Sequence, residues 1–116
     1  VEAALGSRAP TSAADAPLAV RLRELLDGRL VDPPTLAECG TALGATPEHL
    51  IRTFVRAYGI PPHRYLIGRR VEAARRLLLD GVAPAQVAAR IGFVDQAHLT
   101  RTFRRTLGTT PARFAA

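Results

Sequence analysis

A segment of 21 residues occurs twice in this chain, 49 positions apart. Residues 46–66 read TPEHLIRTFVRAYGIPPHRYL, and residues 95–115 read DQAHLTRTFRRTLGTTPARFA. Nine positions are identical: His49/His98, Leu50/Leu99, Arg52/Arg101, Thr53/Thr102, Phe54/Phe103, Arg56/Arg105, Gly59/Gly108, Pro62/Pro111 and Arg64/Arg113. Tyr65 and Phe114 add a conservative tenth. In a chain of 116 residues, a repeat on this scale leaves room for two small units of common design and little else. A device used twice also suits a partner whose own surface repeats.

Hydrophobic spacing and punctuation predict an all-α fold of about seven helices. Leu18, Leu22, Leu25 and Leu26 mark a first helix from Pro17 to Gly28. Pro33-Pro34 breaks the chain, and Thr35 with Glu38 forms the T-x-x-E capping box of a second helix that stops at Gly44. Thr46 caps a third, with Pro47 at the favoured first position, ending at Gly59. Pro61-Pro62 opens a long fourth helix to Asp80-Gly81. Pro84 opens a fifth, ending at Gly92. Asp95 caps a sixth, ending at Gly108, and Thr110-Pro111 starts a short seventh. Period-2 alternation of the kind strands show is absent. Gly68 inside the fourth helix costs about 1 kcal/mol against alanine, which points to a close packing contact or a small bend there.

Helices two and three are separated by Gly44-Ala45, and helices five and six by Gly92-Phe93-Val94. A short helix, a tight glycine turn and a second helix make a helix-turn-helix. Gly40 and Ala88, each four residues before the turn glycine, are the small residues expected where the paired helices cross. The resulting organisation is a linker or arm over 1–16, a first subdomain over 17–59, a linker helix over 60–81 and a second subdomain over 82–116.

On a helical wheel of about 100° per residue, Leu50, Phe54 and Ala57 face inward in helix three, while Glu48, Ile51, Arg52, Val55 and Arg56 face out. In helix six Leu99, Phe103 and Thr102 face inward. Ala97, Thr100, Arg101, Arg104 and Arg105 face out, with Gln96 and His98 at the N-terminal turn. Arg can pair bidentately with guanine and Gln with adenine, and a Thr methyl can meet a thymine methyl. Phe54 and Phe103 read as core, and His49 and His98 as partly buried neighbours of the linker helix as readily as base contacts.

The charge distribution agrees. The net charge is +6, and all 16 basic residues are arginine. Residues 1–34 carry a net −1, residues 35–68 a net +1 and residues 69–116 a net +6. A basic C-terminal half points to a polyanion: DNA, RNA or an anionic membrane surface. Solubility alone would explain a weaker excess.

Other classes find little support. Cys39 is the single cysteine, so neither an internal disulfide nor a cysteine-framed zinc site can form, and a reducing cytoplasm fits. The chain has no run near the ~20 apolar residues of a membrane span and no signal peptide of the usual form. A catalytic triad pattern, a phosphate-cradling glycine loop and metal-ligand spacing are all missing, so the chain reads as neither enzyme nor cofactor or metal binder. Asp95 and His98 lie three apart, but Asp95 serves better as a helix cap.

The run Ala88-Ala89-Arg90-Ile91-Gly92-Phe93, then Leu99, Arg101, Phe103, Arg104, Gly108 and Pro111-x-x-Phe114, resembles the signature of the AraC/XylS family of bacterial transcription regulators, in its C-terminal DNA-binding domain. Tyr65-Leu66, Arg69-Arg70, Ala74 and Leu77-Leu78 match as well, so the likeness covers residues 17–115. The resemblance implies two helix-turn-helix subdomains joined by a long helix. Helices at about 47–58 and 96–107 would enter adjacent major-groove segments of double-stranded DNA. Family base-reading positions fall on Glu48, Ile51 and Arg52 in the first unit, and on Gln96, Ala97, His98, Thr100 and Arg101 in the second. Phosphate contacts fall on Thr46, Arg56, Arg104 and Arg105. RNA polymerase is an implied partner and activation an implied outcome. The Val start and the small, polar residues 1–16 suggest an effector-binding or dimerisation domain upstream.

Two positions depart from the family pattern. Ile51 stands where relatives often carry a polar residue and can offer only apolar contact. Glu48 is acidic beside a phosphate backbone, where it can accept from cytosine N4 or discriminate against other bases. Both also fit the alternative of a protein-interaction module that keeps the fold and binds DNA only non-specifically.

Overall fold

A computed structural model describes residues 15–115, with side chains from Pro17 onward. Over the described residues the chain forms seven α-helices and no strand: α1 (Asp15–Gly28), α2 (Leu36–Leu43), α3 (Pro47–Tyr58), α4 (Pro62–Leu79), α5 (Pro84–Ile91), α6 (Gln96–Leu107) and α7 (Pro111–Ala115). The arm expected over 1–16 lies outside the described residues except for its last two, whose backbone opens α1. That helix therefore starts before Pro17. Proline is tolerated there because first-turn N–H groups have no intrahelical acceptor.

The expected caps are made. Glu38 N–H donates to Thr35 Oγ1 at 3.0 Å, and Thr35 N–H donates to Glu38 Oε1 at 2.9 Å, closing the capping box of α2. His49 N–H donates to Thr46 Oγ1 at 3.1 Å at the start of α3, and His98 N–H to Asp95 Oδ1 at 2.8 Å at the start of α6. A cap of this kind stabilises its helix by about 1 kcal/mol.

Contacts divide the chain into two units. The first holds the residues up to Arg29 together with Pro33–Tyr65. Its core is Ala19, Leu22 and Leu26 from α1, Cys39 from α2, and Leu50 and Phe54 from α3, all buried. The α1 helix packs on both α2 and α3, which also pack on each other. Each fully buried Leu or Phe contributes about 1.5–3 kcal/mol of transfer free energy. The Phe54 ring lies 4.8 Å from Tyr58 and 5.5 Å from Tyr65. The Tyr65 hydroxyl donates to Asp27 Oδ1 at 2.7 Å, which ties the start of α4 to α1. Burial, then the nearby Glu38 charge, raises the pKa of the Cys39 thiol, so it packs as a neutral group.

The second unit holds Leu30–Asp32 and Leu66–Ala116. Its core is Val71, Ala74 and Leu78 from α4, Val87 and Ala88 from α5, Phe93 from the turn, and Leu99 and Phe103 from α6. From Leu66 onward α4 thus belongs to this unit and supplies one wall of its core, the part that α1 plays in the first.

The three-residue strap Leu30–Asp32 comes from the α1–α2 connection but docks on the second unit. Arg70 holds it: Nε donates to Leu30 O at 2.7 Å and Nη2 to Val31 O at 3.3 Å. Burial lowers the pKa of Arg70 from its ordinary value, though a guanidinium remains charged.

Of two expectations about small residues, one is corrected and one refined. Gly68 marks no packing contact: it is exposed, and a Cβ built there meets nothing within 4 Å. Gly68→Ala is expected to raise stability by about 0.5–1 kcal/mol, because the helix keeps its geometry while the unfolded chain loses freedom. A higher urea midpoint at unchanged slope is the measurement that checks it. Gly40 is indeed a position of close approach, most tightly to the turn, with Pro47 Cδ at the start of α3 at an ordinary contact distance of 3.9 Å from a Cβ built there. A Cβ there would run into the carbonyl oxygen of Ala45 in the turn. Gly40 O accepts both Gly44 N–H at 2.8 Å and Ala45 N–H at 3.0 Å, which folds the turn back onto the helix.

Candidate nucleic-acid interface

The sequence repeat is a repeat in space, pair by pair. Leu50 and Leu99 are fully buried, as are Phe54 and Phe103. Thr53 and Thr102 are the buried polar pair. The Thr53 hydroxyl is satisfied by donating to His49 O, one turn back in its own helix. Gly59 and Gly108 close α3 and α6 with φ of 84° and 77°. Pro62 and Pro111 are buried. The tenth match makes the same contact in both copies: Phe54 to Tyr65 at 5.5 Å and 66°, Phe103 to Phe114 at 5.6 Å and 63°. The first turn of α4 is therefore the counterpart of α7, folding an aromatic back over the phenylalanine of the helix before it.

These shared residues carry two helices whose opposite faces are open. On α3, Glu48, Ile51, Arg52, Val55 and Arg56 are all exposed, Ile51 at 37% and Val55 at 39%. Glu48 stands in the first turn, where a negative charge is favoured by the helix dipole. Arg52 Nη2 lies 3.5 Å from His49 Nδ1 on the preceding turn. His49 itself is half-buried, at the edge of this face.

On α6, Gln96, Ala97, Arg101, Arg104 and Arg105 are exposed, while His98 and Thr100 are half-buried. The His98 ring is held on the turn before the helix. Its Nδ1 accepts Val94 N–H at 3.2 Å, and its ring stands edge-on to Phe93 with centroids 5.2 Å apart. That leaves Nε2 as the ring's remaining polar atom. The histidines thus pair with Arg52 and with the α5–α6 turn, rather than serving only as neighbours of the long helix. Arg104 and Arg105 lie in the last turn of α6, and Arg56 in the last turn of α3. There they complement the carbonyl end of the helix and present charge outward.

The structure gathers Glu48, Ile51, Arg52 and Arg56 on one exposed stripe, and Gln96, Ala97, Arg101, Arg104 and Arg105 on another. Thr46 is spent partly on its own helix, as the acceptor from His49 N–H, though its hydroxyl keeps a proton to donate. Val55 was not among the residues assigned to base reading, yet it shares the stripe. Its signal was present in the spacing, four residues after Ile51 and seven after Glu48.

A helix-turn-helix domain family matches residues 39–116, a span that takes in both α3 and α6. The chain belongs to the AraC family of helix-turn-helix DNA-binding domains. Among curated relatives it is similar to the uncharacterised regulator YbfI of Bacillus subtilis, at 35% identity over 66% of this chain and 28% of that protein. It is also similar to the transcriptional regulator RipA of Corynebacterium glutamicum, at 32% identity over 92% of this chain and 33% of that protein. The chain therefore spans about a third of the length of these relatives. Among solved structures, the DNA-binding domain of the global transcriptional factor AdpA, in complex with a target DNA, superposes with a TM-score of 0.73 at 30% identity, over 85% of this chain and 89% of that one. A transcriptional regulator of the AraC type from Chromobacterium violaceum has the same fold, with a TM-score of 0.79 at 23% identity over 90% of this chain and 94% of that one. Among the described residues of this chain, no helix is long and apolar enough to cross a membrane.

Proposed function

We propose that this domain reads one asymmetric site on double-stranded DNA, with α3 and α6 each entering the major groove. The observation that carries the reading is the matched pair of exposed stripes. The two helices share a glycine C-cap, a buried Leu, Thr and Phe, and the outward arginines Arg52/Arg101 and Arg56/Arg105, while their outward faces differ at Glu48/Ala97, Ile51/Thr100 and Val55/Arg104. Glu48, Ile51 and Arg52 read bases from α3. Gln96, Ala97, Thr100 and Arg101 read from α6, with His98 offering at most Nε2. Thr46, Arg56, Arg104 and Arg105 meet phosphates. The AdpA domain's complex with its target DNA supports this use of the fold. Relatives some three times longer support a place within a larger cytoplasmic regulator. Such a regulator would carry an effector-binding or dimerisation domain elsewhere in the chain and would act on RNA polymerase, as an activator.

Selection from random duplexes tests the proposal. A single non-palindromic motif of about 15–20 bp is expected, with affinity falling steeply as salt rises. Selected pools that converge on no motif would leave only non-specific binding and favour a protein-interaction module. Within the motif, Arg105→Ala is expected to weaken all sequences alike. It should also reduce the slope of log affinity against log salt by about 1, as removal of one phosphate contact does.

A further inference from the structure

Ile51 and Val55 form an exposed apolar pair on the reading stripe of α3, one turn apart. The fold does not require them. At the matched positions of the second copy stand Thr100 and Arg104, on a helix with the same glycine C-cap and the same buried Leu and Phe. The pair is therefore a property of the surface, not of the scaffold. Its surroundings say what covers it. Exposed Arg52 and Arg56 lie beside it on the same face, so the occupant is anionic as well as apolar at the point of contact. The positive charge of the two arginines is matched by a surface that carries negative charge around its apolar points. Duplex DNA supplies both features together, since phosphates flank a major groove in which the C5-methyl of thymine is the apolar projection.

We propose, on the basis of the DNA-reading function above, that Ile51 and Val55 clasp thymine methyl groups and that Val55 is a specificity residue of the first unit. Glu48, at the N-terminal end of the stripe, then sets the adjoining position. It accepts from cytosine N4 and repels the acceptor edge of guanine. The two units thereby divide the work. Through Ile51, Val55 and Glu48 the first reads apolar and donor features of pyrimidines beside the guanidinium of Arg52, while the second, with Arg104 in place of Val55, is weighted toward purine acceptors and phosphate.

The test replaces each thymine of the selected motif with deoxyuridine, which removes only the methyl, and measures affinity with the intact 116-residue chain. One or two thymines in the α3 half of the motif are expected to lose about fourfold in affinity on replacement, the effect of one buried methyl. Ile51→Ala or Val55→Ala should abolish that sensitivity while leaving the deoxyuridine response elsewhere unchanged. Because both side chains are exposed, neither variant is expected to disturb folding, and unaltered thermal unfolding checks this. Val55→Thr, which keeps a methyl, should retain sensitivity in part. A selected motif whose thymines all tolerate deoxyuridine, or whose sensitivity survives both alanine variants, would overturn the clasp while leaving DNA reading intact. Failure to select any motif would overturn both.

Discussion

Gly92→Ala is expected to destabilise the second unit by about 2–5 kcal/mol, a large part of the 5–15 kcal/mol by which small domains are usually stable. Two costs add. Gly92 closes α5 with φ of 87°, in the left-handed region that penalises a side chain by about 1–2 kcal/mol. A Cβ there would also lie 2.5 Å from Val31 O and 3.1 Å from Val31 C, both backbone atoms of the docked strap. Backbone cannot swing aside as a side-chain tip can, so a further 1–3 kcal/mol, about the cost of overpacking, is expected. Gly44 is the internal control. It closes α2 in the same way with φ of 71°, but a Cβ there meets nothing within 4 Å. Gly44→Ala should therefore cost only the left-handed penalty, about 1–2 kcal/mol. Urea unfolding of both variants checks the contrast. Equal losses would show that the strap gives way freely.

Arg101→Ala is expected to lower affinity for the selected site about 10- to 100-fold and to relax preference at one base pair. Arg101 is exposed on α6, on the side opposite Leu99 and Phe103, in the middle of the reading stripe. A guanidinium there can offer two parallel donors to guanine O6 and N7, a contact that discriminates by about 1–3 kcal/mol. Arg101→Lys separates charge from shape. It keeps the cation but loses the planar fork, so salt dependence should hold while preference at that base pair falls. Gel-shift titration against the full set of single-base variants is the measurement. If Arg101→Ala weakened every sequence equally, the residue would belong with Arg105 among the phosphate contacts.

Much of this architecture was legible in the sequence because it is periodic. Leu50 and Phe54 repeat as Leu99 and Phe103 at the spacing of a buried helix face. Capping residues or prolines at the start, and glycines at or just past the end, bracket every helix from α2 to α6 within a residue or two. Even the Tyr65/Phe114 match had a single cause, the ring contact each makes with the preceding phenylalanine. What escaped was non-periodic. In sequence, Arg69 and Arg70 look alike; only the fold turns Arg70 inward onto two carbonyls some 40 residues back. The small size of Gly40 is plain in the sequence, but the atom nearest to it belongs to the turn, a detail of backbone path that side-chain patterns do not encode. Val55 went unassigned because an exposed valine on a helix is ordinary until its counterpart, Arg104, is set beside it.

The strap limits how this protein can be dissected. The repeat invites cutting the chain into two modules, and the family match, beginning at residue 39, suggests a natural place to trim. Yet the second unit contains Leu30–Asp32, which any fragment starting later discards. Without them the half-buried guanidinium of Arg70 loses both acceptors, a penalty larger than that of an exposed hydrogen bond. The second unit is contiguous in space but not along the chain. A fragment that keeps the second unit whole begins at residue 30 or earlier, and residues 66–116 grafted into another protein would transplant an incomplete body.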